Sequence, residues 1–292
     1  MSIDLLQKNI RRLKCPAVLN FDIPSIFIPP QIFQAEGSFL PAYARYSIEM
    51  LEALRDQIPA VRFSLTAMAM YGSDGLMMLS RLLHIACELG YYVFLDIPDA
   101  LSSFRAQENA RLLFSETCPL EFHGVVVSSY IGSDGIKPFA AAVENSDKDL
   151  FVLLRSANKS AAELQDLLTG SRLAHHALAD KVARYGKPLI SRSGYSKIGA
   201  VGAANAASVL SNLRKRFPNM FLLLDGGDLP NAFSNSCAAA FDEFGHGAII
   251  NIGDSVLGAW YTEELDPRDY VMGARHQVEL FCKKMKNHVS IL

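Results

Sequence analysis

Five aspartates and two arginines stand where short apolar runs give way to polar residues. Asp22, Asp96, Asp225, Asp228 and Asp254, with Arg62 and Arg155, sit at or just past the ends of these runs. Gathered at one mouth, the carboxylates would suit a divalent cation or an amine, since hard cations take carboxylate oxygens. The plainer alternative is that they cap helices and turns, where aspartate is favoured. Arg62 and Arg155 either neutralise these aspartates or bind an anionic ligand. Other reactive residue types carry less. His175 and His176 are adjacent on a helical segment and point to different sides, which suits a solvated face better than a metal pair with Asp180. His84 lies in an apolar helix as a packing or surface residue. Cys87 and Cys118 have no histidine near them in sequence, and the Ser193 loop shows no partner for a nucleophile. Gly226–Asp228 follows a strand but lacks the glycine spacing of a dinucleotide fold.

The elements that must position these residues alternate. Apolar runs at Ala17–Asp22, Ala60–Leu65, Tyr91–Ile97, Gly124–Ser129, Asp149–Ser156, Ile198–Ala204, Asn219–Gly226 and Gly247–Asp254 predict strands buried on both faces of a parallel sheet. Helix-period segments lie between them, for example Leu76–Leu89, Ser160–Ala183 and Asn205–Arg216. Eight strands in β/α alternation without a linker predict a single (β/α)8 barrel over residues 1–292, with residues 1–16 as an N-terminal helix. An open doubly wound sheet has the same alternation. The polar residues at the strand ends favour the barrel, because those ends converge on one face, where barrel active sites are built. The long segments Pro24–Pro41 and Asp99–Phe122 overhang that face as lids or partner contacts.

Bulk properties fit this picture. Half of the 292 residues are hydrophobic and the net charge is -2, so a large core is expected and a general nucleic-acid footprint is not. The five cysteines form no C-x-x-C pair and read as reduced thiols of a cytoplasmic protein. The N-terminus carries charges throughout, unlike a signal peptide, and no apolar run is long enough to span a bilayer.

Two long stretches resemble a known family. Ser128–Phe139 (SSYIGSDGIKPF) and Phe151–Asp166 (FVLLRSANKSAAELQD) are similar to the N-P-Y-L-G-x-D-G-x-x-P-F and F-V-L-x-[KR]-T-S-N-P segments of the larger bacterial branch of orotidine 5'-phosphate decarboxylases. Asp22 with Pro24 resembles that family's D-P, and GAIINIGDS resembles its eighth strand. The similarity runs from about Leu5 to Ala274. It implies a (β/α)8 barrel, no metal or organic cofactor, and a dimer with active sites at the interface. It also implies decarboxylation by alternating charges, with a lysine on strand two and D-x-K-x-x-D after strand three. A carboxylate there opposes the substrate carboxylate, and a lysine stabilises the carbanion and delivers the proton.

This sequence departs from that pattern where the chemistry lies. The strand-two lysine is Arg62, the first aspartate is kept as Asp96, the central lysine is Pro98, and the last aspartate is Leu101. Proline donates no proton, and a guanidinium stays protonated near neutral pH. The family's phosphate loop reads DGGDLPNA here, with Gly226 and Gly227 kept and Pro230 replacing glutamine. The phosphate-holding arginine is Asp254. Two like charges about 4 Å apart repel by about 4 kcal/mol at an effective dielectric of about 20, so phosphate binding in the family's mode should fail. Ser156, Ala157 and Asn158 stand for T-S-N, which removes a hydroxyl expected near the pyrimidine. Asp22, at the ribose position, and Asp134 are retained.

The expectation is therefore a decarboxylase-like barrel that is decarboxylation-incompetent. It would act through binding or as a homodimer, or a heterodimer with a related decarboxylase, with Leu101 and Phe104 at the interface. Asp96 and Arg62 are its remnant catalytic positions. Asp22, Ser156, Asn158, Gly226, Gly227 and Asp254 form its remnant ligand pocket, with no metal, nucleic acid or membrane as partner. The alternatives are an active orotidine 5'-phosphate decarboxylase of pyrimidine biosynthesis and a different, metal-dependent enzyme on the same barrel.

Overall fold

Eight apolar runs form a closed parallel barrel in the computed structural model, which describes residues 2–97, 100–229 and 236–292. Helix α1 (Ser2–Leu13) precedes β1 (Ala17–Asn20), and α2 (Pro30–Glu36) and α3 (Phe39–Leu54) lead to β2 (Ala60–Ser64). Then come α4 (Leu65–Ala69), α5 (Gly72–Glu88), β3 (Tyr92–Asp96), α6 (Ser103–Leu113), β4 (Gly124–Val127), α7 (Ser133–Glu144) and β5 (Asp149–Leu153). The second half holds α8 (Ala174–Gly186), β6 (Ile198–Ala203), α9 (Ala207–Arg216), β7 (Leu222–Asp225) and β8 (Ala248–Ile252). Three helices finish the chain: α10 (Asp254–Leu257), α11 (Ala259–Thr262) and α12 (Tyr270–Lys286). Each barrel strand pairs with its sequence neighbours, and β8 closes onto β1 with Ile250 beside Ala17.

Strand alternation sorts the side chains into two cores. Outward residues such as Leu19, Val61, Leu95, Val152 and Leu224 pack under the helices. Inward residues Val18, Ala60, Tyr92, Phe94, Phe151, Val201, Leu223 and Ile249 fill the barrel, with Ile3, Leu6 and Ile10 of α1 packed against them. Continuing that inward parity one step toward the C-terminal ends brings Asn20, Arg62, Asp96, Asp225 and Asn251 to the top of the barrel. An apolar floor under a polar top layer is what a barrel needs to hold chemistry at one end only. Helix starts are fixed locally: Ser64 Oγ accepts from Ala67 N at 3.1 Å, and Ser102 Oγ accepts from Arg105 N at 3.2 Å.

One predicted helix is broken. Instead of a continuous helix over Ser160–Ala183, Lys159–Glu163 forms a 3-10 turn and Leu168–Thr169 pairs antiparallel with Arg172–Leu173. Gly170 turns that small hairpin at a φ of 67°, a left-handed conformation that interrupts a helix. The helix proper begins at Ala174. Among the described residues, no helix is long and apolar enough to cross a membrane.

Candidate active site

The centre of the barrel mouth holds a clamped guanidinium. Arg62, on β2, is only 8% exposed. Its Nε donates to both oxygens of Asp96, on β3, at 2.9 and 2.8 Å, and its Nη1 donates to Asp225 at the end of β7. Asn251 Nδ2 also approaches Asp225 Oδ1 at 3.3 Å. Burial opposes the charge on Arg62, but Asp225 and Asp96 outweigh it and hold the guanidinium above its ordinary value. Burial raises the Asp96 carboxyl, against the pull of Arg62, and the charges of Asp225 and Asp22 add to the rise. Arg62 is therefore a fixed cation: it bridges two strands and has no proton to give near neutral pH.

The loop after β7 provides a second internal pairing. Gly226 takes a φ of 84°, and a Cβ on Gly227 would lie 2.4 Å from the Asn251 carbonyl oxygen. Only glycine lets the chain lie this close to β8. The turn carries Asp228 over the start of α10. Its Oδ2 accepts from Gly253 N at 2.7 Å and Asp254 N at 3.1 Å, and its Oδ1 accepts from Ser255 Oγ. The two amides at the end of β8 thus already hold a carboxylate. Burial raises the Asp254 carboxyl, with Asp228 and Asp22 adding to the rise. Asp228→Ala should lower stability by about 1 kcal/mol, the usual cost of a lost cap. Urea unfolding reads this directly, and an unchanged midpoint would show that the loop is held by other contacts.

The predicted residues fall into separate networks. Asp22 is exposed beyond β1 and accepts from Asn20 Nδ2 at 3.0 Å. Ser156 Oγ lies 2.5 Å from Asn158 Oδ1 and 3.1 Å from Gln165 Oε1, so these polar groups satisfy one another. Arg155 does not join the mouth aspartates as anticipated. It pairs with Asp166 through Nε and Nη2 at 3.0 and 2.9 Å, because the broken helix folds Asp166 back beneath it. His175 is not on a solvated face either. It is fully buried, with Nδ1 at 2.8 Å from Gln165 O and 3.1 Å from Asp166 Oδ1. His84 is exposed beside Glu121, with Nδ1 at 2.9 Å from Oε1. No group of three or more His, Cys, Asp or Glu among the described residues is placed to hold a metal ion. Pro98 and Pro230 lie outside the described residues. Leu101 is described and stands 86% exposed, with Phe104 at 66%.

Sequence reasoning missed Asn251. It follows Ile249 by two residues and so shares its inward parity, a signal present in the strand alternation. Capping is one of the two roles expected of Asp228, but which amides it holds depends on the register of β7 on β8, which no local pattern supplies.

Similarity to known proteins bears on this arrangement. No protein-family model matches the chain. The orotidine 5'-phosphate decarboxylase of Caldicellulosiruptor saccharolyticus is 29% identical over 222 residues, covering 74% of this chain and 73% of the relative. That of Clostridium acetobutylicum is 26% identical over 265 residues, covering 90% and 91%. Among solved structures, the Leishmania donovani OMP decarboxylase superposes with a TM-score of 0.71 at 21% identity, covering 97% of this chain and 98% of that one. The Plasmodium berghei orotidine 5'-monophosphate decarboxylase gives 0.76 at 14% identity, covering 97% and 99%. The structural likenesses show the fold, and the chain is similar in sequence to orotidine 5'-phosphate decarboxylases over most of its length.

Proposed function

We propose that this relative of the orotidine 5'-phosphate decarboxylases does not decarboxylate and acts instead through association as a dimer. The clamped Arg62 carries this reading. Transition-state stabilisation in such a site needs a preorganised cation aimed at the developing carbanion, and an acid able to deliver its proton. Here the buried cation is occupied by Asp96 and Asp225, and guanidinium is a poor acid. The 5'-phosphate position is disfavoured in the same way, because Asp228 already accepts from Gly253 N and Asp254 N. A dianion would have to displace that carboxylate and then sit beside it. Titration of uridine 5'-monophosphate by calorimetry should give no heat of binding, whereas saturable micromolar binding would count against this reading.

Association is supported by the apolar surface after β3. Leu101 and Phe104 project into solvent where the family resemblance implies a charged residue that reaches into the neighbouring subunit. Contiguous exposed apolar surface marks protein contacts, and these two side chains are proposed as part of such a surface. The occupant proposed is a second copy of this chain, in the cytoplasm; a related decarboxylase as partner is the other outcome of the same test. Light scattering on a sizing column should give twice the 32.1 kDa chain mass. Leu101→Asp should weaken the dimer by at least about tenfold, equivalent to about 1.4 kcal/mol. A protein that runs as a monomer throughout would remove the homodimer.

A further inference from the structure

The segments that follow β1 and β2 line a cavity of about 390 Å3, together with Phe39 and Tyr43 of α3. Its walls are aromatic and thioether groups, from Phe21, Phe39, Tyr43, Met68 and Tyr71, and Asp22 stands at the rim. Among the described residues, no lysine or arginine lines it. The rings are arranged in sequence: Phe39 stacks on Tyr71 with centroids 5.3 Å apart at 24°, and lies 5.8 Å from Tyr43 at 35°. Tyr43 is buried at the base of the cavity, and its hydroxyl donates to Phe21 O at 2.9 Å. Tyr71 is 47% exposed and forms the outer wall.

We infer that this cavity binds a small organic cation, an amine or quaternary ammonium carried on an apolar body. Two independent features converge on that class. Aromatic faces attract cations through the ring quadrupole, and aromatic-lined cages are the recurrent site for ammonium groups. The carboxylate of Asp22 accepts from Asn20 Nδ2 and makes no ion pair among the described residues, while Arg62 is held by Asp96 and Asp225. A neutral ligand would leave Asp22 without a counter-charge. An anion would meet Asp22 with Asp96 and Asp254 close enough to feel its charge. The cation alone satisfies both the rings and the carboxylate, and the volume lies within the usual range of small-molecule sites, roughly 300–1,000 Å3.

The test is calorimetric titration of the full chain with three probes of one shape: protonated 2-phenylethylamine, 2-phenylethanol and 3-phenylpropanoate. Saturable binding of the amine alone is expected, weakening as salt is raised. Asp22→Asn should weaken the amine at least about tenfold, since it removes the charge but keeps the shape. Tyr71→Leu should weaken it severalfold while Tyr71→Phe retains it. Asp22 and Tyr71 are surface positions, and circular dichroism confirms the fold of each variant. Equal binding of amine and alcohol, an Asp22→Asn variant that binds as tightly as the parent, or no amine binding at millimolar concentration would each overturn the inference. The inference goes beyond the dimer reading, and oligomeric state leaves these outcomes unchanged.

Discussion

Replacing Arg62 with methionine should destabilise the protein by about 3–5 kcal/mol at neutral pH, the cost of breaking a buried ion pair by removing one partner. Methionine keeps the length and the apolar stem but leaves Asp96 and Asp225 facing one another at the top of the barrel. Both would then have to lose charge or draw in water. Burial already raises the Asp96 carboxyl while the arginine is present, so removing the arginine should raise it further. The deficit should therefore shrink as pH falls through the acid range and the carboxylates protonate. Arg62→Met combined with Asp96→Asn should recover part of the loss, because one buried charge is gone. Guanidinium unfolding at neutral and acid pH measures all of this. A variant as stable as the parent at neutral pH would mean that the cluster is solvated and Arg62 is not a structural bridge.

A second large effect is expected at the opposite end of the barrel. Asp149 begins β5, is fully buried, and accepts a hydrogen bond from Tyr92 Oη at 2.8 Å. Burial pushes its carboxyl up from 3.8 to about 8, although hydrogen bonding and Lys197 pull the other way. The folded protein thus keeps a proton that the unfolded chain gives up. The stability this contributes is complete below about pH 4 and is lost as pH rises through about 8. Asp149→Asn keeps an acceptor for Tyr92 and abolishes the titration. The variant should gain on the parent between mildly acid and mildly alkaline pH, by at most about 5 kcal/mol. Parallel stability curves for the two proteins would show that Asp149 is ionised in the folded state.

What could be read in the sequence follows from how local each signal is. Every barrel strand was legible because a strand buried on both faces must be a short apolar run, and Tyr91–Ile97 or Ile198–Ala204 have no other low-energy use. The expected runs exceed the strands by up to three residues at an end, as at Asp22 and Ser156, since the composition of a run does not mark its last ladder hydrogen bond. The grouping of Arg62 with Asp96 follows from the family resemblance, and the pairing of β2 with β3 is what brings the two together. The 155–175 segment was not legible. Its helix-period apolar residues concealed the Gly170 turn, and that turn decides that Arg155 meets Asp166 and that His175 is buried. For Asp228 the sequence leaves two readings open, a member of an acidic mouth or a cap. Only the close packing of Gly227 on β8 reveals that its charge is taken up by Gly253 N and Asp254 N.

On the proposed reading, Arg62 held by Asp96 and Asp225 does not carry out the decarboxylation that the relatives are named for. The most direct test is an assay of the purified protein with orotidine 5'-monophosphate, following loss of its near-ultraviolet absorbance at high enzyme concentration, alongside Asp96→Ala and Asp96→Asn variants of confirmed fold. The account predicts no turnover, or a trace rate that is identical in all three preparations and therefore belongs to a contaminant. Turnover in the parent that both variants abolish would contradict it, and would show that this barrel decarboxylates with Arg62 and Asp96 in place of the lysine.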